Sequence, residues 1–84
     1  MLKIIEYTME LKLCECEKKK VYVISEIKVE DDNIKQQLKN LGFVKNEKIV
    51  LLNYNYGKSS YLVKVMGINY SLDKSICEDI IVCA

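Results

Sequence analysis

The chain has 84 residues, 50% of them hydrophobic and 30% charged, with 13 basic residues against 12 acidic ones for a net charge of +1. One domain is the limit at this length, and a domain so small buries only about 60% of the surface its unfolded chain exposes, leaving little room for a deep catalytic pocket beside the core. All the basic residues are lysine, so the chain has neither a global field for nucleic acid nor the arginine fork that reads guanine edges, and no nucleic-acid partner is expected.

Residues 5–13 alternate, with Ile5, Tyr7, Met9, Leu11 and Leu13 on one side and Glu6, Thr8, Glu10 and Lys12 on the other. This period of two predicts a half-buried strand. The same charges interrupt any signal-peptide core, and no apolar run approaches the roughly 20 residues of a membrane helix, so a cytoplasmic protein with no direct membrane insertion is expected. Residues 15–20, "ECEKKK", read as a solvated loop, and residues 21–29, rich in β-branched side chains, as a second strand.

In "EDDN" Asp31 or Asp32 can cap a helix over residues 32–41, whose stripe Ile34, Leu38 and Leu41 is expected in the core. On that reading Leu41→Asp buries an unpaired charge and unfolds the domain. Gly42 is placed to end the helix in a left-handed conformation, and Asn46 to make a turn. Residues 49–54 and 61–66 read as strands joined by a hairpin loop around Gly57, with the next bend at Gly67 and Asn69. "LDKSICED" suggests one helical turn capped by Asp73, and residues 80–83 a closing strand. The order is mainly β with one short helix, and such a sheet must curl on itself into a small, partly open barrel.

The chain has no histidine, which removes the usual general base and nitrogen ligand. It also has no phosphate-binding glycine loop. It is therefore not expected to be an enzyme, and its acidic clusters read as helix starts and exposed surface. Without an export signal the four cysteines are expected as free thiols. If Fe or Zn were bound, Cys14, Cys16, Cys77 and Cys83 are the candidate thiolate ligands, although the pairs lack the usual zinc-knuckle spacing and Cys77 falls where a small buried residue is called for. No resident cofactor is expected. Tyr54 and Tyr56 on one face of a strand, with Tyr61 across the hairpin, could form an exposed aromatic ridge of the kind that binds protein, or instead cover one end of the core.

From residue 21 to 82 the ordered set "LKNLGFVKNEKIVLL", a hairpin at Gly57, "VKVMG", "YSLD" and "ICEDIIV" resembles the FeoA family, whose domain type also closes DtxR-like metal-dependent repressors. The matching positions are Leu38, Leu41, Gly42, Ile49, Gly67, Leu72, Ile80 and Val82. Gln37, Lys45-Asn46, the proline-free hairpin and Asp73 depart from the family pattern. The resemblance implies one SH3-like β-barrel domain over residues 1–84, with residues 21–82 as its core and residues 1–14 as an extra strand or extension. It further implies a small cytosolic accessory protein of bacterial ferrous iron uptake that binds the GTPase-containing cytosolic part of the membrane transporter FeoB, and so lies at the inner face of the membrane. A thiolate metal carrier or sensor is the alternative.

Overall fold

The computed structural model describes residues 9–84. Its strands are β1 (Glu10–Lys12), β2 (Val21–Ile27), β3 (Lys48–Tyr54), β4 (Ser60–Val65), β5 (Ile68–Asp73) and β6 (Ile80–Cys83). The helices are α1 (Asp32–Asn40) and the short α2 (Lys74–Glu78), and a 3-10 turn (Leu13–Glu15) follows β1. Every pairing is antiparallel, in the order β1-β6-β2-β3-β4-β5. Among the described residues no ladder joins β5 to β1, so the sheet stays open.

Alternation along the strands puts Tyr22, Ile24, Ile49, Leu51, Tyr61, Val63 and Val65 on the inner face, where they meet Leu13, Leu38, Phe43, Leu72, Cys77, Ile80 and Val82. Each large apolar side chain buried there contributes about 1.5–3 kcal/mol relative to exposure. No charged residue enters this core among the described residues.

The N-terminal strand is shorter than its alternation suggests. Residues 5–8 lie outside the described residues, Met9 is 66% exposed, and only Glu10–Lys12 pairs, with β6. Leu13 leaves the strand for the 3-10 turn and is wholly buried there, so it reaches the core through a turn. The second strand stops at Ile27, two residues early, after a register shift between Ile24 and Glu26. Val29 is still buried, but from the loop.

The helix starts as the sequence suggests. Asp31 Oδ1 accepts hydrogen bonds from the Asn33 and Ile34 amides at 2.9 and 3.2 Å, satisfying two donors that the first turn leaves free. Its end corrects the expected core stripe. Leu38 is buried, yet Leu41 is 42% exposed, so an aspartate there would reach water rather than the core. Gly42, at φ +104°, reverses the chain, and the Phe43 amide donates back to Leu38 O at 2.9 Å. This six-to-one closure sends Phe43, 1% exposed, into the place expected for Leu41. Gly42 has a second reason to be glycine: a Cβ there would stand 2.6 Å from Met66 Sδ.

Asn46 takes its turn conformation at φ 75°, as expected. Both hairpins differ in detail. In the first, the positive φ falls on Lys58 and not on Gly57, and Asn55 closes the loop, its Oδ1 accepting from the Ser59 and Ser60 amides at 2.8 and 3.1 Å. In the second, Met66 and Gly67 are the two central residues, both with positive φ, between the paired Val65 and Ile68. Such a two-residue turn matches strand twist. Asn69 therefore lies within β5, a strand that replaces the bend expected at Gly67 and Asn69. Asp73 precedes α2 but makes no side-chain capping bond.

Candidate functional site

The hairpin of β3 and β4 carries the tyrosines proposed as a contact ridge. A second register shift, between Leu51 and Asn53, brings Tyr54 opposite Tyr61. Bulges of this kind re-aim the side chains that follow. Tyr61 consequently lies in the core at 2% exposure, which corrects its place on an exposed ridge. Its burial raises the phenol pKa above the ordinary value, with nearby thiols adding to the shift. Tyr54 sits half-buried at the rim, its ring 5.7 Å from that of Tyr61 and tilted by 51°. Tyr56, in the loop, is fully exposed.

Two lysines meet Tyr54 from different parts of the chain. Lys18 Nζ lies 4.2 Å from the ring centroid and Lys58 Nζ 5.3 Å. Each such contact at an exposed site is worth about 0.5–1 kcal/mol. The Lys18-Lys19-Lys20 segment is accordingly tied to the sheet rather than simply solvated. Lys20 Nζ lies 5.3 Å from the Tyr22 ring, and the Lys19 amide donates to Leu51 O at 2.8 Å. Together Tyr54, Tyr56, Lys18 and Lys58 give the hairpin a mixed aromatic and cationic surface, suited to a protein face with carboxylates and apolar groups. Sequence reasoning missed the two lysines because the fold, and no local pattern, brings Lys18 to Tyr54.

The cysteines do not share a strand face. Cys14 falls in the 3-10 turn and Cys16 just after it, while Cys77 lies in α2 and Cys83 in β6. All four are free thiols. Cys16 Sγ donates to Lys12 O and Cys83 Sγ to Val23 O, both at 3.7 Å. Burial pushes the Cys16 and Cys77 thiols up to about 12, and raises Cys14 as well, each with some repulsion from neighbouring thiols or carboxylates. A thiolate is the form that binds metal, so these environments favour the non-ligating form. The short helix α2, which carries Cys77, packs against the 3-10 turn that carries Cys14, with Cys16 just after it. Among the described residues, however, no three His, Cys, Asp or Glu side chains are grouped so as to hold a metal ion.

Among the described residues no helix is long and apolar enough to cross a membrane. A third surface feature is an open cleft of about 540 Å³ between β2, α1 and the loop after Gly42, lined by Ser25, Glu26, Ile27, Lys35, Lys39, Phe43, Val44 and Lys45.

Comparison with known proteins gives a family and a fold. The model of the FeoA domain matches residues 11–83. No curated protein matches the chain. Among solved structures, an FeoA-like protein from Clostridium acetobutylicum is similar at a TM-score of 0.75 and 24% identity, over 90% of this chain and 87% of that one. FeoA from Stenotrophomonas maltophilia, a prokaryotic SH3-domain protein solved with zinc, is similar at 0.73 and 25%, over 92% and 89%. A manganese-dependent transcriptional repressor superposes at 0.82 with 12% identity, this chain spanning 44% of its length. The mainly antiparallel architecture is thus that of the SH3-like FeoA structures, with the sheet left open. The chain belongs to the FeoA domain family, which is linked to ferrous iron transport.

Proposed function

We propose that this chain is a cytosolic accessory protein of ferrous iron uptake that works by binding, not catalysis, and that its partner is the GTPase-containing cytosolic part of FeoB. The observation that carries this reading is the β3–β4 hairpin, where Tyr56 is fully exposed in the loop that follows Tyr54, and Lys18 and Lys58 lie over the Tyr54 ring. Exposed aromatic anchors rimmed by charge are common centres of protein contacts. Membership of the FeoA family directs the reading to the iron transporter. In this reading residues 1–84 form one domain, Tyr54 and Tyr56 touch the partner, and Tyr61 supports Tyr54 from the core. The protein reaches the inner face of the membrane only through its partner and carries no resident metal.

The test is calorimetric titration of the reduced protein with the soluble cytosolic domain of its own FeoB. Tyr56→Ala should weaken binding at least tenfold with an unchanged melting curve. Unchanged affinity would remove the hairpin from the interface.

One observation favours a second reading, a thiolate metal carrier: α2, with Cys77, packs against the 3-10 turn that holds Cys14 and is followed by Cys16. That reading requires stoichiometric Zn(II) or Fe(II) binding at neutral pH that is lost in Cys14→Ser/Cys16→Ser. The raised thiol pKa values weigh against it.

A further inference from the structure

The cleft between β2 and α1 has two features that the hairpin surface does not use. The first is charge. Lys35, Lys39 and Lys45 are all exposed along its walls, against the single carboxylate of Glu26. Among the described residues the one ion pair is Lys74–Glu78, so none of the three ammonium groups has a carboxylate within 4.0 Å there.

The second feature is an uncovered length of backbone. The β2–β3 ladder ends at Val23 opposite Lys48. The last bonds on that side run from the Ile24 amide to Glu47 O, at 2.9 Å, and from the Asn46 amide to Ile24 O, at 2.8 Å. On its other side β2 stays paired with β6 as far as Ile27. Residues 25–27 therefore have a strand neighbour on one side and the cleft on the other, with the half-buried Ile27 and Val44 as its apolar lining.

We propose that this cleft docks an extended acidic peptide segment, which adds its backbone beside residues 25–27 and points carboxylates at alternate positions toward Lys35 and Lys39. The spacing supports an extended occupant. Residues four apart on a helix are separated by about 6 Å along its axis, and alternate residues on a strand by about 6.6–6.8 Å. A strand with acids at every second position can thus meet both lysines while its other face covers Val44 and Ile27. Strand addition supplies main-chain bonds, and the side-chain alternation supplies selectivity. The site is separate from the hairpin and does not depend on the identity of the transporter partner.

The probe is an acetylated, amidated hexapeptide alternating valine and glutamate, titrated into the isotopically labelled full chain at low salt. The expected result is amide shifts at Ser25, Glu26, Ile27, Val44 and Lys45, with slowed hydrogen exchange at residues 25–27. Replacing the glutamates by glutamine should weaken binding about tenfold or more, as should raising the salt to screen the lysines. Lys35→Gln/Lys45→Gln should weaken it about tenfold while leaving Lys39 to complement the helix end and the remaining spectrum in place. Equal binding of the glutamine peptide, shifts confined to the hairpin, or shifts from pyrophosphate but not from the peptide would each overturn the proposal. The last outcome would make the cleft a small-anion site.

Discussion

Leu41 and Phe43 offer a direct contrast, because helical periodicity puts the first in the core and the structure puts the second there. Phe43 is 1% exposed, and its ring lies 5.4 Å from that of Tyr70, tilted by 59°. Truncating a buried phenylalanine to alanine costs about 3–5 kcal/mol, part of it for the cavity left behind. Leu41 keeps 42% of its surface in water. Losing its remaining burial costs about 1–1.5 kcal/mol on the scale of 1.5–3 kcal/mol for complete burial. An aspartate at the helix end adds about 0.3–1 kcal/mol of unfavourable interaction with the helix dipole. Leu41→Asp should therefore cost about 1.3–2.5 kcal/mol and Phe43→Ala about 3–5 kcal/mol. A chain of 84 residues has a total stability of roughly 4–13 kcal/mol, so the first variant should remain folded and the second should approach unfolding. Urea melts followed by circular dichroism would measure both, with Phe43→Leu as a milder core variant if Phe43→Ala does not fold. Greater destabilisation by Leu41→Asp than by Phe43→Ala would refute the reversal at Gly42.

Other changes test the local geometry. Gly42→Ala combines a left-handed conformation, worth about 1–2 kcal/mol for a residue with a Cβ, with a Cβ only 2.6 Å from Met66 Sδ; thermal melts should show a loss above 1 kcal/mol, partly restored by Met66→Ala. Asp31→Ala removes the acceptor of the Asn33 and Ile34 amides and should cost about 1 kcal/mol in a urea melt. The thiols predict a pH dependence. Cys16 and Cys77 hold their protons to about pH 12 in the folded chain, against 9.0 for an ordinary thiol, so the unfolded chain loses protons first. Stability should be flat below pH 9 in this respect and fall between pH 9 and 12, by up to about 1.4 kcal/mol per pH unit for each thiol. Cys77→Ala should roughly halve that fall in urea melts taken across the range, with Cys16 keeping its share, whereas a slope unchanged in Cys77→Ala would show that the Cys77 thiol ionises normally.

Elements with strong local signals were legible in the sequence. Asp31 marks the helix start and Gly42 its end because capping is a matter of adjacent residues. The strands with Ile49 and Ile80 follow from apolar runs. Local pattern could not show which side chain the reversal at Gly42 buries, or by how much a register shifts. The helical wheel puts Leu41 beside Leu38 and cannot show that Gly42 hands the position to Phe43. The Met66–Gly67 turn lacks the usual Asn-Gly signature, so the sequence signals a bend at Gly67 and Asn69 and hides β5. The shift at Leu51/Asn53 separates Tyr61 from the exposed tyrosines, and nothing in "NYNYGKSSY" announces it. The two cationic surfaces are the least legible features. Lys18 reaches Tyr54, and Lys45 joins Lys35 and Lys39, only once the sheet has formed.

The most direct test is an amide NMR titration of the reduced, metal-free protein with the soluble cytosolic domain of its own FeoB, followed by Fe(II) and Zn(II) alone. Binding through the hairpin predicts shifts clustered on residues 54–61 and around Lys18 with the partner, and none with metal. No response to FeoB, together with stoichiometric shifts around Cys14, Cys16 and Cys77 on adding metal, would contradict it and make the chain a metal carrier on the same fold.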